Sequence, residues 1–424
     1  MENSDGRGTP PRLDKKSIDW SKTTPSFGDK NPIPFSYLTN AFSPQNVPCH
    51  TIHTNKTTHE IIKENLRFSP MYSGDISGTG PRYCPSIEDK VNNFKDRDSH
   101  LLHLEPEWKN SDQIYLNGFS TSLPEKAQTL AIKEIPAMRS AILLRPGYAI
   151  EYDFFPPSQV KASLETKSVS GLFFAGQMNG TSGYEEAAAQ GLICGINATK
   201  KLKEQEPIIL PRSSSYIGVM IDDLITKDTM EPYRMFTSRA EYRLMLRFSN
   251  TFERLIKHST KHNLLPKKQE LFLLNLSQMK NNAKKELEKS FSQNEIKKEI
   301  QLKQKTPGTK ILKRPNVSIF DIPIKSTEKN KKLPHWLMED FLYDVESDIK
   351  YEGYIKRHEK EIKKLEKSEN LKIPTGFSFL KIPGVSKEAL EKLSLVKPEN
   401  LGQASRISGI TPADISAIHV YLSK

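Results

Sequence analysis

The segment 171–195, GLFFAGQMNGTSGYEEAAAQGLICG, constrains the fold most strongly. Its apolar start predicts a strand that ends at Gly176, a loop with glycines at 176, 180 and 183 follows, and small residues with terminal lysines predict a helix over 184–204. Such a strand-to-helix turn lets backbone N–H groups and a helix N-terminus approach a polar cofactor edge. A turn that serves only packing gives the same pattern, because the segment is not a G-x-G-x-x-G fingerprint.

Secondary-structure patterns divide the chain into two parts. Short β-rich runs alternate with a helical pattern between 100 and 176, which indicates a mixed α/β sheet. Beyond about 250, helical periodicity with charged outer faces dominates, notably over 269–291 and 351–370. Near the end, Thr411, Pro412 and Asp414 form an N-cap, an N1 proline and an N3 acid, which predict the start of a helix.

The net charge of +12 is confined to the second part. Residues 1–250 carry 29 basic and 29 acidic side chains, and residues 251–424 carry 34 and 22. A neutral N-terminal part and a basic C-terminal part are typical of a ligand-binding portion joined to a polyanion-binding portion. Solvated faces of lysine-rich helices would give the same imbalance.

Cysteine and hydropathy patterns limit the setting of the protein. Cys49, Cys84 and Cys194 have neither metal-site nor disulfide spacing, and we expect a reducing intracellular compartment and no metal. Cys49 and Cys194 are interpreted as structural. No run of 18 apolar residues exists, so we expect no membrane span, and the first residues resemble no targeting signal.

Five motifs in one order are specific to a known family. They are PRYCPSIEDK, RPGYAIEYD, GLFFAGQMNGTSGYEEAAAQG, EPYRMFTSRAEYRL and GQASRISGITPADI. Together they resemble the MnmG (GidA) family, flavoproteins that modify C5 of the wobble uridine of certain tRNAs together with the GTPase MnmE. The resemblance runs from residue 8 to the last helix.

The resemblance implies an α/β fold: a partial FAD-binding domain of the glutathione-reductase type with an inserted NAD-type α/β domain, followed by an all-helical C-terminal domain. We expect five units. They are a remnant of the FAD-binding domain with a linker (1–50), the inserted NAD-binding-type region (51–150), the C-terminal part of the FAD-binding domain (151–215), a basic helical region for tRNA and the partner (216–350), and a C-terminal helical domain (351–424).

The resemblance also implies cofactors and partners. We expect FAD and NAD(H) as cofactors, methylene-tetrahydrofolate as the one-carbon donor, and glycine or ammonium as the amine that completes the group. The partners are tRNA, an MnmE-type GTPase and a second copy in a homodimer. The compartment is the cytoplasm, or the mitochondrion if the source is eukaryotic.

Site residues are carried over from the matching motifs. Gln177 matches a residue that contacts FAD. The segment that matches the family's NAD-binding stretch comprises Gly80, Pro81, Arg82, Tyr83, Cys84, Pro85, Ser86, Ile87, Glu88, Asp89, Lys90, Val91, Asn92, Asn93 and Phe94.

Cys84 is the catalytic candidate, because it matches one of two cysteines assigned to the chemistry of the family. A thiolate next to Arg82 or Lys90 is stabilised by their charge, and its attack at C6 of a pyrimidine would activate C5.

The chain departs from the family pattern at its start. Members begin with a dinucleotide-binding domain that carries a glycine-rich FAD loop and the second cysteine, whereas this chain begins with only the tail of the family's GRLKTGTPPR. We therefore expect an N-terminally truncated member that binds FAD weakly or not at all. The alternative function is a non-catalytic tRNA- or partner-binding remnant.

Two sets of charged residues between 222 and 247 each allow two interpretations. Asp222 and Asp223 form either a structural pair or, less readily, a general acid. Arg234, Arg239, Arg243 and Arg247 recur every four to five residues, nearly one helix face. That row either meets tRNA phosphates or pairs with acidic side chains such as Glu241.

Overall fold

The computed structural model describes residues 3–39, 42–74, 76, 85–227, 232–297, 300–325, 333–374, 376–380 and 382–423. Its strands are β1 (Asn3–Gly8), β2 (Arg12–Asp14), β3 (Thr24–Ser26), β4 (Cys49–His53), β5 (Leu101–Pro106), β6 (Gln113–Asn117), β7 (Leu143–Arg145), β8 (Ala149–Phe154), β9 (Ser290–Phe291) and β10 (Thr306–Pro307).

The α-helices of the first half are α1 (Lys56–Asn65), α2 (Pro70–Ser73), α3 (Ile87–Asn93), α4 (Glu125–Lys133), α5 (Tyr184–Leu202) and α6 (Tyr216–Thr226). Those of the second half are α7 (Thr251–His262), α8 (Lys267–Glu288), α9 (Gly308–Leu312), α10 (His335–Lys350), α11 (Glu352–Asn370), α12 (Lys387–Val396), α13 (Leu401–Arg406) and α14 (Pro412–Leu422). Within the described residues, every helix is too short or too polar to span a bilayer.

A six-stranded sheet organises the first half. Its strand order is β3-β4-β5-β6-β2-β7, and each pairing is antiparallel. Side chains alternate along β5 and β6, so that Leu102, Leu104, Ile114 and Leu116 are fully buried on one face. Helices α1, α3 and α4 supply the other side of this hydrophobic core.

A second layer follows the sheet. Strands β1 and β8 form a separate antiparallel ribbon, and the end of β8 contacts the glycine turn before α5. Helices α5 and α6 share a core with residues 160–164, in which Ile193 and Leu224 are buried. This layer carries the turn that the sequence singled out.

The second half is helical, as the sequence predicted. Helices α7, α8 and α10 bury their apolar faces against one another, and α12, α13 and α14 enclose a core of their own. The predicted start of α14 is confirmed: the Thr411 hydroxyl accepts the Asp414 N–H at 3.2 Å, and the Asp414 carboxylate accepts the Thr411 N–H at 2.9 Å. The fold class, an α/β part followed by helical domains, is confirmed.

A buried lysine joins three helices of the second half. Lys280 of α8 is 1% exposed, and its ammonium contacts Glu253 at 2.7 Å, Asp348 at 2.9 Å and Asp344. Burial alone would lower the pKa of Lys280, but the three carboxylates outweigh burial and raise it. The ammonium therefore occupies the one cluster of acids in the described chain that has the geometry of a cation site.

Replacing Lys280 should test this cluster. In Lys280→Met the side-chain volume stays similar, but among the described residues Asp344 and Asp348 keep only Arg247 and Lys284 as ion-pair partners. We expect the free energy of unfolding to fall by about 3–5 kcal/mol, because removing the lysine leaves buried negative charge uncompensated. Thermal unfolding at neutral pH measures the loss.

The control and the pH dependence make the test specific. Lys284→Met removes a half-exposed lysine that contacts Asp348, and it should cost about 1 kcal/mol or less. Against the effect of burial, Lys280 and Lys284 lower the pKa of Asp348 to about 2. The stability that Asp348 contributes is therefore complete above its unfolded pKa near 4 and is lost as the pH falls through about 2. Equal losses for the two variants would contradict the cluster's role.

Candidate functional site

The glycine turn has a backbone that side chains other than glycine rarely allow. A 3-10 turn covers Gly176–Asn179, and Gly176 and Gly180 have φ values of +67° and +62°. A Cβ on Gly180 would lie 3.0 Å from the ring of Phe154 in β8. The apolar strand predicted before the turn is reduced to a single bridge between Glu165 and Phe173. Both glycines are favoured by their positive φ values, and Gly180 also by its close approach to the Phe154 ring.

The turn is held from the inside and exposed on the outside. The buried amide oxygen of Gln190 accepts hydrogen bonds from Gly176 N–H at 2.9 Å and from the Asn179 amide at 3.0 Å. Asn179 also donates to Phe174 O at 2.9 Å. Gln177 and Met178 point away from these contacts and are exposed. A fixed backbone thus presents the Gln177 amide to the surface.

Residues 233–235, which are distant in sequence, contact the start of helix α5 and the turn before it. Gly183 at its N-cap offers no side-chain acceptor to the first N–H groups of the helix. Glu186 is buried; one carboxylate oxygen accepts Met235 N–H at 2.9 Å and the other lies 3.6 Å from the Arg234 guanidinium. The backbone N–H of Tyr233 donates to Gly180 O at 2.9 Å. Tyr233, Arg234 and Met235 therefore support the turn and the start of α5.

The antiparallel sheet contributes an aromatic and a cation to the same region. Burial and, in second place, the nearby phenol of Tyr184 raise the pKa of Tyr115 in β6. The guanidinium of Arg12 lies over the Tyr115 ring, 4.7 Å from its centroid. Tyr184 itself is 87% exposed at the start of α5. Neither Arg12 nor Tyr115 was predicted, although Arg12 lies within the TPPR stretch that the family shares.

The segment 80–94 is only partly described. Gly80, Pro81, Arg82, Tyr83 and Cys84 lie outside the described residues, so the structure does not test the nucleophile. From Pro85 onward the chain is well anchored. A reciprocal capping box between Ser86 and Asp89 starts α3, and Ile87 and Val91 enter the core beneath the sheet.

Glu88 is the most deeply buried polar residue in the described part of that segment. It is 0% exposed, and one carboxyl oxygen accepts hydrogen bonds from Ser122 N–H at 2.9 Å and from the Thr121 hydroxyl at 3.0 Å. The other oxygen makes no hydrogen bond with any described residue. Burial raises the pKa of Glu88. Its contacts hold α3 to the loop after β6.

The remaining residues of α3 divide into anchored and exposed ones. The Lys90 ammonium donates to Gly118 O at 2.8 Å, and Asn92 is half-buried. Asn93 and Phe94 are exposed, and the Arg97 guanidinium lies 5.9 Å from the Phe94 ring centroid. Lys90 is therefore held at the sheet by a backbone carbonyl.

The two described cysteines have structural surroundings. Cys194 is buried on α5, its thiol donates to Phe174 O at 3.2 Å, and burial raises its pKa to about 11. Cys49 is half-buried in β4, and burial, followed by the charge of Glu105, raises its pKa. Neither environment favours the reactive thiolate, which supports the structural interpretation of both residues.

The arginine row does not lie on a helix. Residues 232–250 contain the short 3-10 turn Thr237–Arg239 and otherwise irregular backbone, so the predicted helix face is wrong. Arg239 lies over the Tyr233 ring and near Asp223, while Arg247 binds Asp344 and Asp348. Arg243 is exposed.

Asp222 and Asp223 are paired with cations in the interior. Arg212, 1% exposed at its side chain, donates to Asp222 at 2.6 Å and to Asp223 at 3.1 Å. Arg406 of α13 also binds Asp222. The structure therefore favours the structural interpretation over a general acid.

The fold and this turn define a multidomain α/β protein with a helical C-terminal half. Residues 6–206 match the family described as Glucose inhibited division protein A. Residues 253–359 match the tRNA modifying enzyme MnmG/GidA C-terminal helical domain, and residues 361–424 match the MnmG/GidA C-terminal helical bundle. The chain belongs to the MnmG/GidA family of tRNA-modifying enzymes, as its motifs predicted.

Individual relatives agree with this assignment. The tRNA uridine 5-carboxymethylaminomethyl modification enzyme MnmG of Syntrophomonas wolfei is 45% identical over 98% of this chain and 67% of its own length. The enzyme of the same name from Borreliella afzelii is 48% identical over 98% of this chain and 66% of its own. Aquifex aeolicus GidA superimposes with a TM-score of 0.85 at 41% identity, covering all of this chain and 68% of that one. The chain thus spans about two thirds of the length of these relatives.

A methyl group at Gly183 should disturb the start of α5. Its Cβ would lie 2.0 Å from a Glu186 oxygen and 2.3 Å from an Arg234 nitrogen. Gly183→Ala must therefore displace that pair, and we expect a loss of about 1–3 kcal/mol in thermal unfolding.

Gly191 provides the matched control on the same helix. A Cβ there meets no atom within 4 Å. Gly191→Ala should raise stability by about 0.5–1 kcal/mol, since alanine favours the helix. Opposite signs for the two substitutions support the packed geometry at Gly183, and a stabilised Gly183→Ala variant would refute it.

Proposed function

We propose that this chain acts in FAD-dependent modification of C5 of the tRNA wobble uridine, adding a carboxymethylaminomethyl or aminomethyl group together with an MnmE-type GTPase. One observation carries the proposal: 98% of the chain aligns at 45–48% identity with relatives named for that modification. The cytoplasm, or a mitochondrion in a eukaryotic source, is the proposed compartment. A homodimer is the proposed assembly.

Gln177 and the amino end of α5 are the residues that we assign to FAD. They fit a polar, planar cofactor edge because Gln177 is exposed on a braced turn and Gly183 leaves the first helical N–H groups without a side-chain acceptor. When bound, FAD supplies the redox chemistry by which a one-carbon unit from methylene-tetrahydrofolate reaches uridine C5. The chain's own residues orient the cofactor at a fixed position.

NAD(H) is assigned to the segment 80–94. In its described part, the side chains of Ile87, Glu88 and Val91 are buried, and the capping box takes up Ser86 and Asp89. We therefore propose that Gly80–Cys84 make the contacts to the cofactor, while 85–94 hold that stretch against the sheet.

Cys84 is the proposed nucleophile. Its thiolate would form a bond to C6 of the uridine, and the electron pair of the C5–C6 double bond would move toward C5 and O4. C5 would then attack the methylene carbon of the folate iminium, whose C=N electron pair would move onto nitrogen. Loss of the C5 proton to solvent and expulsion of the thiolate would restore the C5–C6 double bond, and replacement of the folate nitrogen by the amine would complete the group.

The basic helical half is assigned to tRNA and the GTPase partner. The five units proposed above, 1–50, 51–150, 151–215, 216–350 and 351–424, remain our division of the chain. On α11, Lys360, Lys363, Lys364 and Lys367 are exposed. Such a row suits phosphate contacts.

The nucleophile assignment is tested in the organism that encodes the chain. Cys84→Ser introduced at the native gene should abolish the modified wobble uridine, because a serine hydroxyl stays protonated at neutral pH. Mass spectrometry of digested tRNA measures the nucleoside. Cys49→Ser changes a half-buried cysteine of raised pKa and should leave the nucleoside level unchanged. If deleting the gene leaves the modified uridine intact, the chain is a binding remnant instead of part of the enzyme.

The RNA assignment is tested by salt dependence. Changing Lys360, Lys363, Lys364 and Lys367 together to alanine should weaken tRNA binding and flatten the plot of log affinity against log salt. The slope changes by roughly 0.7–0.9 for each phosphate that the variant no longer neutralises.

Four exposed lysines of the neutral half serve as the control, changed in the same way: Lys95, Lys109, Lys126 and Lys133. This control alters the net charge equally. If both sets change the slope alike, the basic surplus acts only as diffuse charge.

A further inference from the structure

A forked ion pair fastens the C-terminal bundle (residues 382–423, containing α12, α13 and α14) to helix α6. The Arg406 guanidinium donates from Nε and Nη2 to the two carboxylate oxygens of Asp222, each at 2.6 Å. Arg406 also contacts Glu369 of α11 at 3.1 Å. The side chains of Arg406 and Asp222 are 13% and 11% exposed. Charge-assisted forks of this kind are strong and direction-specific.

The ion pair continues into a buried polar chain. Asp222 also accepts from Arg212 at 2.6 Å, and the same Arg212 nitrogen donates to Asp223 at 3.1 Å. The hydroxyl of Tyr233 donates to Asp223 at 3.3 Å. Tyr233 is 1% exposed, and Asp223 is 0% exposed. Each group in this chain therefore depends on its neighbours for its hydrogen bonds.

The chain ends at the glycine turn. The backbone N–H of Tyr233 donates to Gly180 O, and two residues later Met235 N–H donates to Glu186 at the start of α5. A continuous series of contacts thus leads from Arg406 in the bundle to Gly180 in the turn.

We propose that Asp222 and Arg406 are positioning residues, through which docking of the C-terminal bundle fixes the conformation of the glycine turn 176–183. The physical reason is that buried charges cannot be left without partners. Without Arg406, Asp222 keeps Arg212 as its one cationic partner among the described residues, and this guanidinium would shift toward Asp222 and away from Asp223. Tyr233 would then lose the orientation of its acceptor. The functional meaning of the coupling rests on the proposed role of the turn in binding FAD.

The bundle has a second attachment that bypasses this chain. The Lys167 ammonium donates to Ser158 O at 2.8 Å and to Val396 O at the end of α12. Burial lowers the pKa of Lys167 to about 8. Removing Lys167 therefore loosens the same bundle without touching Asp222, Arg212 or Tyr233.

Hydrogen–deuterium exchange on the full chain tests the proposal without any cofactor. In Arg406→Gln, Asp222 remains paired with Arg212, so the fold should persist. We expect about tenfold faster exchange in peptides covering 176–183 and 232–236, and faster exchange in the bundle. Tyr233→Phe removes only the hydroxyl link, and it should accelerate exchange in the turn while leaving the bundle unchanged.

Lys167→Met separates coupling through the polar chain from loss of packing. It should accelerate exchange in the bundle and leave the turn as in the wild type. The proposal is overturned if Lys167→Met loosens the turn as much as Arg406→Gln does, or if Arg406→Gln leaves the turn unchanged. In the double variant Asp222→Asn/Arg406→Gln, the increase in the exchange rate of the turn should be smaller than the sum of the two single effects, because both substitutions break the same ion pair. If the exchange changes occur as expected but deletion of the gene leaves the modified uridine intact, the proposed function is refuted and this coupling still stands.

Discussion

The guanidinium of Arg212 is the group on which the arrangement of this chain most depends. It is nearly inaccessible, and it binds Asp222, Asp223 and Glu241 at once. Burial would lower its pKa, but the three carboxylates keep it firmly cationic. Helix α6 can carry two adjacent buried acids because this cation contacts both of them, while Arg406 adds positive charge at Asp222 and Lys227 adds it at Asp223. Those acids in turn receive Arg406 from the C-terminal bundle and Tyr233 from the segment that supports the turn.

A comparable cluster of buried charges lies in the helical second half of the chain. Lys280, Asp344 and Asp348 connect α8 and α10, and Asp222, which binds both Arg212 and Arg406, connects the α5–α6 layer with α13. In both places a fully buried cation is matched by several carboxylates, so that neither sign of charge is left uncompensated. Ion clusters of this type fix the relative orientation of helices more narrowly than apolar contacts do, because a guanidinium or ammonium accepts few geometries. The basic residues of the second half therefore fall into two groups: buried cations such as Lys280 and Arg406, which are structural, and surface lysines such as Lys360 and Lys363, which are exposed.

Local features were predictable from sequence, and long-range ones were not. The helix expected at 184–204 runs from Tyr184 to Leu202, and the N-cap at Thr411 forms as its residues indicate, because both depend on neighbours within four positions. The apolar run before Gly176 does not form a strand, because among the described residues its pairing is limited to the bridge between Glu165 and Phe173. The arginine row failed as a helix because each of Arg234, Arg239 and Arg247 has an acid or ring from another segment, which overrides spacing. The insertion of β2 between β6 and β7 also depends on pairing over a hundred residues and leaves no local signal.

The candidate site combines both kinds of information. Gln190 holds Gly176 and Asn179 from within the same motif, so this half of the bracing could be inferred from the GQMNG…Q pattern once a helix at 184 was expected. The other half comes from Tyr233 and Met235, about fifty residues away, and is visible only in the fold. The local bonds hold the inner side of the turn and the distant ones hold Gly180 and Glu186, so the backbone that carries Gln177 is braced from two directions. Gln177 thus owes its fixed presentation to a segment whose own position depends on the buried acids of α6.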